Sequence, residues 1–285
     1  KVIMKNLVFL FFAVFAMNMF AQEGTDSTQA DKWEPKGIAG LNISQIAFSN
    51  WTQGGDNAIT YSVSGNFSLN YTSSVSAFKN SLKIAYGQTK LAEDDFKTND
   101  NEIYLEDVYS RRVGWAVDPF ISNILRTNIA PGYTFNAGVK TKISDIFDPG
   151  YLSQSMGFTY DRDKVFKTRL GIGLQETFTN KFRQYTDDTK TKNKTEAFKL
   201  ETGIESVTET QWEFMENMLL KSYLRLFTAF NRMDTWDVRW DNTISAKINK
   251  WFVFNINVLV VYEKAQSLKT QLKEAMMFGV SYQLF

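Results

Sequence analysis

The chain has 285 residues, of which 32 are basic and 31 acidic, and it contains neither cysteine nor histidine. Without cysteine, disulfides, thiolate metal sites and cysteine nucleophiles are excluded. Without histidine, the Ser-His-Asp triad and most zinc sites are excluded as well. A formal net charge of +1 gives no indication of nucleic acid as a partner. We therefore expect a protein that is not an enzyme and that holds no metal and no cofactor.

Residues 1–21 have the pattern of a cleavable secretory signal peptide. Two lysines precede an apolar run, and Ala21 is followed by polar residues. A single membrane anchor is the alternative, although the run is short for a spanning helix. Residues 22–36 are polar and lack periodicity, which predicts a flexible periplasmic lead-in to a domain at residues 37–285.

Residues 59–71 give the clearest structural signal in the chain. Apolar side chains occupy almost every odd position from Ile59 to Tyr71, and Thr, Ser or Asn occupies every even position between them. A side-chain period of two predicts a β-strand with one apolar and one polar face. The length fits the roughly 9–11 residues that a tilted strand needs to cross a bilayer.

The same pattern recurs along the chain and predicts twelve strands. In chain order they are residues 37–48, 59–71, 78–88, 102–112, 120–129, 151–160, 165–178, 196–207, 214–230, 236–248, 251–262 and 271–285. The strand at 102–112 cannot be phased, because Glu106 and Asp107 are adjacent and one must face the apolar side unless a bulge intervenes. The segment 214–230 also fits an amphipathic helix.

An even number of strands favours an all-β fold: an antiparallel, up-and-down transmembrane β-barrel. With both ends of the barrel chain in the periplasm, odd-to-even links are the external loops, and these are long at 89–101, 130–150 and 179–195. The links at 161–164 and 249–250 fall on the other side and are short. The loop at 130–150 could fold inward and constrict the lumen.

Charged residues share the polar face of the predicted strands, and both signs mix there. In a membrane barrel the apolar face touches lipid, where an unpaired Lys or Arg costs roughly 2–4 kcal/mol at mid-depth. We therefore predict a charged lumen lining that consists of Lys167, Arg169, Lys199, Glu201, Glu205, Lys221, Arg225, Asp237 and Arg239. A secreted β-sandwich with its apolar faces packed inside is the alternative.

Tryptophans lie at the ends of predicted strands, where the aromatic girdles of membrane barrels belong. We assign Trp51, Trp115, Trp212, Trp236 and Trp251 to the membrane interface, and Trp240 is the exception. The end of the chain resembles the C-terminal recognition signal of bacterial outer-membrane proteins, through Tyr282, Leu284 and Phe285. The phase departs by one residue, since the final aromatic residue is usually in phase with the tyrosine. The resemblance implies the barrel-assembly machinery as a partner during insertion.

Several short motifs carry a further resemblance. They are Leu41-Asn42-Ile43-Ser44-Gln45, Phe48-Ser49-Asn50-Trp51 through Gly54-Gly55 to Asn57, Pro131-Gly132-Tyr133, Ile143-Ser144-Asp145-Ile146-Phe147, and Pro149 with Tyr151-Leu152. Through them the chain, over about residues 38–285, resembles an uncharacterised family of Gram-negative outer-membrane barrels known only as a domain of unknown function. Asp148-Pro149-Gly150 departs from the Ser-Pro-small turn expected there. The resemblance implies the outer membrane of a Gram-negative bacterium and its lipid as surroundings, and it implies no activity.

The remaining motifs favour structural roles. Gly171-Ile172-Gly173 lacks the third glycine of a nucleotide site, and Asp94-Asp95 and Asp187-Asp188 are more typical of solvated loops than of calcium ligands. Because eight strands give a filled interior and sixteen an open one, twelve predict a narrow channel or transporter for small solutes. The alternative is a non-conducting structural barrel, or one that partners another envelope protein.

Overall fold

We analysed a computed structural model that describes residues 32–46, 57–92, 94–136, 139–162, 165–188, 191, 194–249, 251–263 and 269–283. The strands in chain order are β1 (Lys32–Ile46), β2 (Ala58–Thr72), β3 (Ser76–Leu91), β4 (Lys97–Arg111), β5 (Asp118–Thr127), β6 (Gly132–Asn136), β7 (Val139–Ser144), β8 (Gly150–Tyr160), β9 (Phe166–Phe178), β10 (Phe198–Met215), β11 (Met218–Ala229), β12 (Asp237–Lys247), β13 (Phe252–Tyr262) and β14 (Gln271–Gln283). A short 3-10 helix spans Arg183–Tyr185.

Twelve of these strands close into an antiparallel barrel. Each pairs with the next in the chain, except that β5 pairs with β8, and β14 closes the barrel by pairing with β1. The intervening β6 and β7 form a separate two-stranded hairpin. No helix in the described ranges is long and apolar enough to span a membrane. The predicted twelve-stranded, up-and-down barrel is thus confirmed.

The barrel has two unlike ends. The links between strands at one end, here called the loop end, include residues 92–96, 128–149, 179–197 and 230–236. The other end, here called the turn end, has short links such as 73–75 and 216–217. In the 216–217 turn Asn217 has a φ of +64°, a conformation that asparagine tolerates better than most residues. The predicted alternation of long and short links is therefore present.

The structure differs from the sequence-based prediction in several places. β1 begins at Lys32, so the last five residues assigned to the lead-in belong to a strand. The segment 214–230 is extended, with a turn at 216–217 before β11, and the helical alternative is wrong. The loop at 130–150 contains the β6–β7 hairpin, which was not predicted, because its short strands carry little periodicity.

Contacts between strands that are not neighbours in the barrel identify its inner face. Arg169 of β9 contacts Glu106 of β4, and the Tyr104 and Tyr223 hydroxyls of β4 and β11 are 2.7 Å apart. Only side chains that point into the barrel can meet in this way. Register then puts the apolar positions outside, where Leu170 and Ile172 are each 58% exposed. Since a soluble protein buries such side chains, the chain is a transmembrane barrel, and the sandwich alternative is wrong.

Two glycines of the wall mark a close approach between β8 and β9. Gly157 and Gly171 are directly opposed, and a Cβ on either would overlap the backbone of the facing strand. The Gly171-Ile172-Gly173 motif therefore serves strand packing.

Candidate functional site in the barrel lumen

All nine charged residues predicted for the lumen lie on the inner face of the barrel. Lys167, Arg169, Lys199, Glu201, Glu205, Lys221, Arg225, Asp237 and Arg239 share the face that carries the cross-barrel contacts. Lys167 lies near the turn end, where its Nζ is 2.9 Å from a carboxylate oxygen of Asp161. Lys221 has no ion pair within the described residues, and the other seven are paired.

A central cluster joins β3, β4, β9, β10 and β11 across the lumen. The Arg169 guanidinium donates to Glu106, and the Tyr223 hydroxyl donates to the same carboxylate at 3.0 Å. The Lys79 ammonium lies 3.3 Å from Glu106 and 2.6 Å from Glu209. Glu106 is almost completely buried, so three donors compensate for the water that its carboxylate loses.

A second cluster fills the lumen beside β5 and β8. Arg225 donates from Nε to Glu205 at 2.8 Å and from Nη2 to Ser153 at 3.0 Å. The Ser155 hydroxyl donates to the other oxygen of Glu205 at 2.7 Å and lies 2.7 Å from the Ser122 hydroxyl. This cluster is a continuous hydrogen-bonded network, and such networks hold side chains in a single arrangement.

Further ion pairs line the wall toward the loop end. Arg239 donates to Glu102 at 2.7 Å, and Lys83 lies 3.7 Å from the same carboxylate. Arg126 donates from Nη2 to both oxygens of Glu263, at 2.7 and 2.9 Å.

Arg232, which lies in the β11–β12 loop, closes the last of these networks. It donates to Glu201 at 3.0 Å and to Asp237 at 2.5 Å. Partial burial lowers the pKa of Arg232, but the hydrogen bonds to Asp237 and Glu201 outweigh it and raise the pKa above its ordinary value.

The sequence-based prediction missed several lumen charges, and the reasons are specific. Glu102 and Glu106 were not assigned because β4 could not be phased, yet their shared parity with Tyr104 would have grouped them. Glu209 lies beyond the predicted end of its strand, whereas β10 continues to Met215. The partnership of Arg126 with Glu263 spans 137 positions and leaves no local signal.

The lumen is filled on one side and open on the other. Inward-facing side chains of β5 and of β8 to β11 are buried, among them Phe120, Ile124, Ser155, Glu205, Val207 and Phe227. Several inward-facing side chains of β1 and β2 are exposed, namely Lys36, Ile38, Ser44 and Asn66, whereas Ser62 on the same face is buried. Since these four point into the barrel, their exposure means that space lies beside β1 and β2 in the turn-end half, at Lys36, Ile38 and Asn66, and again at Ser44 near the loop end.

A cavity of about 270 Å³ lies at the loop end of the filled side. Glu102, Arg126 and Tyr151 of the wall line it from below, and Ile143 and Pro149 of the β5–β8 link line it from above. Arg126 lies 4.5 Å from the centre of the Tyr151 ring, and both residues also line a smaller cavity beneath.

The β6–β7 hairpin stands over the loop end of β4. Its lysines contact the β3–β4 link and its neighbours, since Lys140 lies 3.5 Å from Asp95. Asp148, at the end of the β5–β8 link, accepts hydrogen bonds from the backbone N–H groups of Asn180 and Lys181 and so holds this link against the β9–β10 link. Most of β7 is exposed, while Ile143 and Pro149 of the β5–β8 link cover the cavity at the loop end of the filled side.

The tryptophans predicted for the membrane interface lie where strands end. Trp115, Trp212 and Trp251 are exposed at the turn end, and Trp236 is exposed at the loop end. Trp51 lies outside the described residues. Trp240, the exception, is exposed on the outer face within β12, and its indole N–H donates to Ser222 at 3.0 Å.

The C-terminal residues are described only in part. Tyr282 pairs with Ala39 of β1, whereas Leu284 and Phe285 lie outside the described residues. The acidic loop pair Asp94-Asp95 contacts lysines, since Asp94 lies 2.7 Å from Lys97. In the described part of the chain, no cluster of three or more acidic side chains is arranged to hold a metal ion.

Comparisons with solved structures give distant matches. The translocator domain of the autotransporter NalP from Neisseria meningitidis is 9% identical with a TM-score of 0.38, covering 93% of this chain and 91% of that one. An outer membrane channel from Pseudomonas putida F1 is 10% identical with a TM-score of 0.38, covering 91% and 99%. The toluene transporter TbuX from Ralstonia pickettii is 10% identical with a TM-score of 0.30, covering 86% and 77%. Similarity at this level assigns no function.

No curated protein sequence matches the chain significantly. The Asn50-Trp51 to Gly54-Gly55 motif lies outside the residues that the structure describes. A family model matches the stretch that includes this motif, but the match ends at residue 133, short of the expected span of 38–285. Over residues 43–133 the chain matches the family described as "Protein of unknown function (DUF3078)", which confirms the resemblance to an uncharacterised family.

Proposed function

We propose that this chain is an outer-membrane barrel that gives small solutes a narrow passage beside β1 and β2. The observation that carries the proposal is the exposure of inward-facing Lys36, Ile38, Ser44 and Asn66, in contrast with the buried wall opposite. We place the loop end at the outside of the cell and the turn end in the periplasm, because bacterial barrels have long extracellular loops and short periplasmic turns.

The packed half of the lumen explains why the passage is narrow. The interior of an eight-stranded barrel is just filled by side chains, and a barrel of twelve strands is wider. Its interior must therefore hold water, or long polar side chains that are ordered in a hydrogen-bonded network. The clusters around Glu106 and Glu205 occupy one half with paired charges, which leaves the other half to water. Small polar side chains such as Ser64 and Asn66 line the open half and do not obstruct it.

A second candidate function is a barrel that partners another envelope protein. The outward-facing Asp107 favours it, because a lipid-facing carboxylate is unfavourable unless something compensates for it. Gln154 lies in the same outward row, beside Asn123, and is exposed. A partner would cover this row, and it would be detected as a protein that co-purifies after mild detergent extraction and is lost from Asp107→Leu.

Conductance in planar bilayers tests the first proposal. The purified full-length protein, refolded in detergent, is expected to give discrete conductance steps that are absent from protein-free bilayers. Asn66→Trp fills the open half of the lumen and is expected to lower the step size at least about twofold. Phe67→Trp is the matched control, because the neighbouring residue faces lipid, and its steps should equal those of the parent. A silent parent, or equal steps for both variants, would overturn the proposed passage.

A further inference from the structure

We propose that the passage prefers anionic solutes, because the lysines of the lumen reach into the open space while their carboxylate partners are set back against the wall. This inference rests on the proposed passage and adds the class of solute that it admits.

The exposures within three ion pairs carry the proposal. Lys79 is 35% exposed and its partner Glu106 is 3% exposed. Lys83 is 38% exposed, against 18% for Glu102. Lys273 is 38% exposed, and Asp100, 2.6 Å away, is 29% exposed. In each pair the positive end is the more accessible to a solute in the lumen.

The positive charges of two further lysines are compensated even less by nearby carboxylates. The Lys36 side chain is 66% exposed, and within the described part of the chain its one ion pair is with Glu34, at 3.9 Å. Lys221 is exposed, and no carboxylate within the described residues forms an ion pair with it. Lys79 of β3 lies near the same end of the barrel as Lys36 and Lys221. These three side chains, on β1, β3 and β11, concentrate positive charge near the turn end.

The lysines are spread along the depth of the barrel. Lys36, Lys79 and Lys221 lie close to the turn end of their strands, Lys83 lies near the middle of β3, and Lys273 lies near the loop end of β14. Fields are focused in a narrow, low-dielectric passage, so charges at successive depths act on every ion that passes.

Accessible carboxylates also line the inner face, among them Glu213, which has the inward parity of β10 and is exposed near the turn end. Glu209 is 27% exposed, but its oxygens lie 2.6 Å from Lys79 and 3.3 Å from Arg169. Glu34 lies beside Lys36 close to the turn end of β1 and is itself half-exposed. Glu205 and Glu201 are buried behind arginines and lysines. The five lysines named above outnumber the accessible inward carboxylates Glu34, Asp100, Glu209 and Glu213, so a solute in the passage meets more cationic than anionic groups.

The experiment is a reversal-potential measurement on the full-length protein in planar bilayers under a tenfold KCl gradient. We expect chloride to be favoured over potassium by at least about threefold in permeability. The double variant Lys36→Glu/Lys221→Glu should conduct and should lose at least about two-thirds of that ratio. Neither lysine is buried in an ion pair, so this variant carries a low risk of misfolding, which the heat-modifiable mobility of the barrel on gels would reveal.

A control of equal charge change separates local from global effects. Lys140→Glu/Lys194→Glu alters two loop residues outside the lumen, and its permeability ratio should equal that of the parent. A conducting parent with no preference or with a preference for potassium overturns the anion inference but not the passage. An unchanged ratio in Lys36→Glu/Lys221→Glu overturns the role of these lysines. A silent parent overturns the passage and the preference together.

Discussion

Glu106 and Asp107 are adjacent in β4 and face opposite sides of the barrel wall. Glu106 points inward, is almost completely buried and accepts hydrogen bonds from Arg169, Lys79 and Tyr223. Asp107 points outward among lipid-facing side chains, and the Asn80 amide donates to it at 2.6 Å. No bulge separates the two residues, so regular strand geometry forces one carboxylate to the outside.

Removing the charge from these neighbours should therefore have opposite effects. Glu106→Gln leaves Arg169 and Lys79 without a full counter-charge in a buried site, and we expect a loss of stability on the order of 3 kcal/mol. Asp107→Asn keeps an acceptor for Asn80 and removes a charge from the lipid face, so we expect it to be at least as stable as the parent. Urea unfolding of the two variants in lipid vesicles measures both.

Equal destabilisation by both substitutions would contradict the assignment of their faces. Asn80→Ala provides a second check, because it removes the hydrogen-bond donor to Asp107. It should lower the free energy of unfolding of the parent but not that of Asp107→Leu. Coupling of about 1 kcal/mol between positions 80 and 107 is expected in this cycle.

The alternation of residues predicted most of the barrel wall. The period-two pattern from Ile59 to Tyr71 is present in β2, and each of the other predicted strands overlaps a barrel strand. Side-chain parity is a local property, so it survives without knowledge of tertiary contacts. It also placed Arg169, Arg225 and Arg239 inside, since charge on one parity opposes apolar residues on the other.

The sequence could not predict which side chains contact each other across the lumen. The contact of Lys79 with Glu209 joins residues 130 positions apart, and that of Lys273 with Asp100 joins residues 173 apart. Such partners depend on which strands face each other once the barrel closes, which no local pattern records. The filled and open halves of the lumen were hidden for the same reason.

Trp240 illustrates how an interfacial residue can be accommodated within the lipid-facing wall. Its indole N–H donates to Ser222, whose hydroxyl in turn donates to Asn242 at 2.7 Å. We expect Ser222→Ala to cost about 1–2 kcal/mol, because it leaves the indole N–H unpaired in a medium without water. Urea unfolding in vesicles measures the loss.

The control for Ser222 is Trp240→Phe, which removes the donor itself. In the background of Trp240→Phe, the cost of Ser222→Ala should fall by about 1 kcal/mol. Additive costs would show that the hydrogen bond contributes nothing to stability.

Arg232 holds the β11–β12 loop against the barrel through two buried carboxylates, Glu201 and Asp237. We expect Arg232→Met to destabilise the barrel by about 3 kcal/mol, because the buried carboxylates of Glu201 and Asp237 both lose a charged hydrogen-bond donor. The midpoint of urea unfolding in vesicles checks this. Arg183→Met is the matched control, since Arg183 is partly buried, its Nε donates to the backbone carbonyl of Asn180, and it forms no ion pair within the described residues. Equal midpoints for the two variants would rule out the bridging role of Arg232.

The Glu196 carboxylate orders part of the long β9–β10 loop through hydrogen bonds, and protonation in acid should break these bonds. The Asp188 backbone N–H at 3.1 Å and the Thr191 hydroxyl at 2.8 Å donate to its carboxylate and lower its pKa below the ordinary value of 4.5. A lowered pKa means that these bonds stabilise the folded loop above about pH 4.5 and are lost as the pH falls through the lower, folded-state value.

Amide hydrogen exchange at Asp188 and Thr191 should consequently be equally slow at pH 7 and pH 5.5, after correction for intrinsic rates, and faster at pH 3. Glu196→Gln cannot titrate, so its exchange should be faster than that of the parent at pH 7 and should show no further step on acidification. The barrel strands serve as an internal reference, because acid must leave their protection unchanged for the effect to be local. If parent and Glu196→Gln gave identical profiles from pH 7 to pH 3, the carboxylate would have no part in ordering the loop.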